Sequence, residues 1–67
     1  MIQAFGSYIL RSNSIIVTLD IPNGPGRSFR LDRARNADQS TLIDRAYQQS
    51  DAWAETRGAR LETFRAE

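Results

Sequence analysis

The stretch DQSTLIDRAYQQSDAWAETRG, residues 38–58, is the one long segment of helical periodicity in this 67-residue sequence. Leu42, Ile43, Ala46, Tyr47, Ser50, Trp53, Ala54 and Arg57 recur at three- and four-residue spacing, which places them on one stripe of a helix over 39–57. Asp38, Ser40 or Thr41 supplies the N-cap oxygen, and Gly58 is placed to end the helix in the left-handed conformation. The small residues Ala46, Ser50 and Ala54 allow close approach to a sheet. Tyr47 and Trp53 are expected to supply most of the buried area.

On the N-terminal side of the helix the period changes from 3.6 to 2. In SIIVTLDI, residues 14–21, Ile15, Val17, Leu19 and Ile21 point one way while Ile16, Thr18 and Asp20 point the other, the pattern of a strand with one buried face. Residues 2–10 form a partner strand, turned back at Ser12 and Asn13, with apolar groups on both faces: Ile2, Ala4, Tyr8 and Leu10 against Phe5 and Ile9. Gly6 is expected to mark a bulge there. Pro22-Asn23-Gly24-Pro25-Gly26 is dense turn chemistry leading to a third strand, Arg27–Arg33, with Phe29 and Leu31 on one side and Ser28, Arg30 and Asp32 on the other. After the helix, residues 59–65 read as a fourth strand, although Leu61 and Phe64 have opposite parity.

These elements predict a single small α+β domain of order β-β-β-α-β: an antiparallel three-stranded sheet, one helix packed on one face, and a C-terminal strand. A right-handed helix crossover makes that last strand parallel to the third and sets it beside the first, giving sheet order 3-2-1-4. A chain of this length buries only about 60% of its unfolded surface, so an efficient core or a second subunit must supply stability. Repeats, linkers and low-complexity segments are absent. The initial Met1 suggests a whole short gene product.

Composition narrows the function classes. The sequence has no histidine and no cysteine, and its nine cationic side chains are all arginine. There is no imidazole poised to shuttle protons near neutral pH and no thiolate, so ordinary zinc, iron–sulfur and haem sites are not expected. The eight carboxylates show no spacing that selects an acid/base pair, and no D-x-D-x-D loop is present for calcium. The serine and tyrosine hydroxyls have no neighbouring histidine or lysine to activate them. The glycines at 24 and 26 do not make a phosphate loop, because Pro25 removes a backbone donor and no lysine or helix follows. We therefore expect a non-enzyme, with no catalytic residue, no metal and no cofactor. Lack of cysteine, together with the lack of a leader pattern or a long apolar run, points to the cytoplasm and away from membranes.

Three surfaces remain as candidate contact regions. On the helix, Asp44, Gln48, Asp51 and Glu55 fall on one line, a ridge about 16 Å long at 1.5 Å per residue. Such a ridge suits a basic patch on a protein partner, although a hydrated outer helix face has the same composition. The segment 27–35 carries Arg27, Arg30, Arg33 and Arg35 around Phe29, the best nucleic-acid signal in the chain, since guanidinium groups neutralise phosphates and read guanine. Strand alternation points Arg30 away from Phe29, and Asp32 is at hand to pair with it. The third surface is the outer sheet face, where Ile16 and Thr18 are joined either by Phe5 and Ile9 or by Tyr8 and Leu10. An apolar cluster left there marks a protein or homodimer interface.

The sequence carries no family motif that can be quoted residue by residue. In format, a short α+β chain without catalytic residues, it resembles the small host-modulating proteins of bacteriophages and mobile elements, including anti-CRISPR inhibitors. That resemblance implies a class of action: an inhibitor or adaptor that docks on a host protein or complex, including nucleic-acid-handling machines. The ridge residues Asp44, Asp51 and Glu55 are the expected contacts. The alternative is a small DNA- or RNA-binding protein acting through the four arginines of segment 27–35.

Overall fold

Ile15, Val17, Leu19 and Ile21 are at most 8% exposed, so the alternation in the second strand does define the core face. The computed structural model describes residues 2–67. Strand β1 spans Ile2–Leu10, β2 Ser14–Asp20, β3 Arg27–Asp32, helix α1 Gln39–Thr56 and β4 Ala59–Ala66. One four-stranded sheet has the order β3-β2-β1-β4, the order expected from a helix crossover that sets the last strand beside the first. β1–β2 and β2–β3 are antiparallel, and β4 joins β1 in parallel, so the completed sheet is mixed.

The helix supplies Leu42, Ala46, Ser50, Trp53 and Ala54 to the interface with the sheet. Ser50 is fully buried, and its hydroxyl donates to the Ala46 carbonyl at 2.7 Å, so a polar side chain is accommodated there without an orphaned group. Asp38 is the N-cap: its Oδ1 accepts from the Thr41 amide at 2.9 Å and from the hydroxyls of Thr41 and Ser40. The backbone donor from Thr41, followed by the two hydroxyls, holds the Asp38 carboxyl below its ordinary pKa. At the other end the amides of Arg57 and Gly58 donate to the carbonyls of Ala54 and Glu55, and Gly58 takes φ +68°. A Cβ at Gly58 would meet nothing within 4 Å. Gly58→Ala therefore changes only backbone energy, and thermal melts are expected to show a loss of about 1 kcal/mol, the left-handed penalty less the entropy that alanine removes from the unfolded chain.

Tyr47 departs from expectation. It is 46% exposed and reaches Phe64 only edge-on, with ring centroids 5.7 Å apart. The helix is amphipathic about the Leu42–Ala46–Ser50–Trp53 line, which puts residue 47 on the rim over β4. The large buried aromatic of the helix is Trp53 alone, capped by the Arg57 guanidinium 4.5 Å from its ring.

Gly6 is also reassigned. The irregularity lies on β4: Ala4 pairs with Leu61 and Phe5 with Thr63, leaving Glu62 as the extra residue. That bulge brings Leu61 and Phe64 onto the same inner face despite their opposite parity, because it inserts one residue between them. Gly6 makes room for this arrangement. A Cβ there would lie 2.9 Å from Phe64 Cδ1 and 3.1 Å from Leu19 Cδ2. The glycine signals close approach of side chains from two neighbouring strands.

The connection after β2 turns at Ile21-Pro22-Asn23-Gly24, where the Gly24 amide donates to the Ile21 carbonyl at 3.0 Å and Asn23 takes φ 63°. Proline at the second position and a left-handed third residue define a type II turn.

Candidate interaction surfaces

The helix ridge forms as the periodicity requires. Asp44, Gln48, Asp51 and Glu55 are all exposed on α1. None of the three carboxylates joins an ion pair: among the described residues the single pair is Arg30–Asp32, at 3.4 Å on the sheet. The ridge is therefore a row of solvated negative charge on a rigid element whose opposite side is anchored by Trp53 and Leu42. Around it stand Arg45, Gln49 and Ala52, also exposed.

The four arginines of segment 27–35 are not brought onto one surface. Arg27 opens β3 opposite Leu19, and its guanidinium lies 5.5 Å from the Phe29 ring centroid. Arg30 faces the other side, opposite Ile16, with its charge turned toward Asp32. Arg33 and Arg35 follow the end of β3, and the Arg33 backbone is tied to the Asn13 carbonyl at 2.7 Å. Six residues at about 3.3 Å each separate Arg27 from Arg33 by about 20 Å. Arg33 reaches a shallow cleft at the helix N-terminus, together with Asn36, Asp38 and Ser40.

The outer sheet face resolves the alternative left open for β1. Phe5 and Ile9 point outward, while Tyr8 and Leu10 pack on the core. Cross-strand register places Ile9 beside Ile16, Ser7 beside Thr18, and Phe5 between Asp20 on β2 and Thr63 on β4. Ile9 is 40% exposed, and Phe5 and Ile16 are half-buried with no layer above them. The same register puts Arg60 beside Gln3 and Arg65 beside Ser7. Both arginines are exposed and neither is ion-paired among the described residues. Sequence reasoning did not bring Arg60 and Arg65 to this face, because the parity of β4 is readable only once the Glu62 bulge is known.

No group of three or more acidic side chains with metal-holding geometry occurs among the described residues. No described helix is long and apolar enough to cross a membrane. Comparison with known proteins returns no similar family model, curated protein or solved structure.

Proposed function

We propose that this protein is a non-enzymatic binding module, an inhibitor or adaptor that docks on a larger protein through the helix ridge of Asp44, Asp51 and Glu55. The observation that carries the reading is that all three carboxylates are exposed, unpaired and aligned on a helix immobilised by its buried opposite face. Internal ion pairing, the ordinary fate of such charges, does not consume them. A rigid row of carboxylates complements a cluster of arginine or lysine on a partner and accelerates encounter electrostatically. Proteins that handle nucleic acid present such clusters, which makes them the partner class of best fit.

Affinity capture from the native host, run in parallel with wild type and the triple charge reversal Asp44→Arg, Asp51→Arg, Glu55→Arg, tests this. A protein partner retained by wild type should be lost by the variant, with the association rate reduced at least tenfold at low salt. Equal retention by a folded triple variant would move the interface off the helix.

A further inference from the structure

The two outer strands of the sheet end it in different ways. Along β4 the extra residue Glu62 interrupts the ladder, and a bulge of this kind twists an edge away from any further strand. β3 has no such guard, since its register with β2 is unbroken from Arg27 to Asp32. The direction of its free groups follows from the ladder. The Arg33 amide donates to the Asn13 carbonyl at 2.7 Å, while the next carbonyl, that of Ser14, turns the other way and accepts from the Arg11 amide at 2.8 Å. Main-chain groups alternate in direction along a strand, so Phe29 and Leu31 bond to β2 and the N–H and C=O groups of Ser28, Arg30 and Asp32 point off the sheet. Among the described residues no turn, cap or side-chain hydrogen bond reaches those groups. From this edge we infer that β3 pairs antiparallel with β3 of a second copy of the chain, about a two-fold axis at Leu31, so that two sheets become one.

Charge selects both the occupant and the register. Side chains directly opposite in an antiparallel pair share a face and interact. With the axis at Leu31, Arg30 of each copy lies opposite Asp32 of the other, and each such couple exchanges both main-chain hydrogen bonds. The Arg30–Asp32 pair within one chain, 3.4 Å apart and well exposed, becomes half of a four-charge cluster of alternating sign. Neighbouring registers lose this match. An axis at Arg30 opposes two guanidinium groups, one at Asp32 opposes two carboxylates, and one at Phe29 leaves Asp32 facing Gly26. Charges of one sign guard an edge, whereas Arg30 and Asp32 sum to zero and complement themselves under a two-fold. On the helix side the same axis sets Leu31 against Leu31 of the second copy. Leu31 and Phe29 are half-buried at the rim of the core, with no strand beyond them. α1 packs chiefly toward β4 and leaves that rim free. The chain turns at Ala34–Ala37, before Arg35 is carried opposite Arg27. The pairing goes beyond the ridge reading and uses none of the ridge residues.

Sedimentation equilibrium of the intact protein at about 50 mM salt tests the pairing, and should show a monomer–dimer equilibrium with Kd of about 1–100 µM, as suits a small interface. Arg30→Asp alone and Asp32→Arg alone each set like charges across the axis, and each should weaken dimerisation about tenfold or more. An equal mixture of the two single variants should form a heterodimer at least as tight as the wild-type dimer, because every couple is again of opposite sign. Both substitutions in one chain should restore the homodimer. Both positions are exposed, so Trp53 emission and far-UV circular dichroism should match wild type in every variant. Amide exchange at Ser28, Arg30 and Asp32 should slow as wild-type concentration rises, with the β4 amides unchanged. A chain that stays monomeric up to about 500 µM, well above that Kd range, overturns the proposal and leaves the edge to a strand from another protein. So does a dimer indifferent to the single reversals, a mixture of the two that fails to associate, or concentration-dependent protection that falls elsewhere than on β3.

Discussion

Trp53→Ala is expected to leave the chain largely unfolded at about 37 °C, the largest effect of any single substitution outside a backbone-breaking proline. Trp53 is the one tryptophan, 5% exposed, and the only large aromatic that the helix commits to the core. The buried helix positions around it are Leu42, Ala46, Ser50 and Ala54, of which the last three are too small to close over the space a lost indole leaves. Truncations of this kind cost about 3–5 kcal/mol. A domain of this length has roughly 3–10 kcal/mol in total. The Arg57 guanidinium also loses the ring it lies over, keeping its hydrogen bond to the main-chain carbonyl of residue 53. Far-UV circular dichroism against temperature should show the cooperative transition of wild type lowered or abolished. Retention of a wild-type melt would refute the packing of α1 on the sheet, as would a solvent-like tryptophan emission in the native protein.

Gly6→Val should be the second most damaging change, although valine is the better strand former by propensity. The Cβ alone comes 2.9 Å from Phe64 Cδ1 and 3.1 Å from Leu19 Cδ2. Leu19 is 1% exposed and has nowhere to go, while Phe64 is held between Tyr8, at 5.1 Å between centroids, and Tyr47. Overpacking in such a place costs roughly 1–3 kcal/mol and here acts on the junction of β1 with β4. The diagnostic is a double-mutant cycle. Phe64→Leu on the Gly6→Val background should cost less than Phe64→Leu alone, because the smaller side chain relieves the collision. Additive losses in denaturant unfolding would show that the glycine is required for another reason.

The elements most legible in the sequence were those whose burial pattern depends on one segment alone. Ile15, Val17, Leu19 and Ile21 alternate without interruption, and the helix stripe from Leu42 to Ala54 lies between a capping Asp38 and a terminating Gly58. The sheet order was legible too, since handedness leaves little choice once the crossover helix is placed. What was not legible depends on pairing between distant segments. A bulge at Glu62 exists only relative to β1, so Leu61 and Phe64 appear mismatched until Ala4 and Phe5 are set beside them. A glycine that avoids a collision has the same single-letter signature as one that relaxes the backbone, which is why Gly6 resembles a bulge. Tyr47 satisfies the periodicity but sits one step around the helix from the line that faces the sheet. The arginines illustrate the same limit: those crowded in sequence between 27 and 35 scatter over both faces and the following loop. Arg60 and Arg65 share a sheet face with Arg30, on the opposite edge strand.

The parallel joining of β1 to β4 ties the earliest strand to the latest one, with Ile2 beside Ala59. Local hairpins can bring β1, β2 and β3 together from near neighbours, but their inner face stays open until α1 and β4 arrive from far along the chain. Closing that long loop costs entropy before the contacts that repay it are made, so the search is slowed by topology more than by length. The transition state should therefore be reached when β4 finds β1. A three-stranded precursor with Ile15, Val17 and Leu19 uncovered is the species in which this chain is most exposed to misassociation.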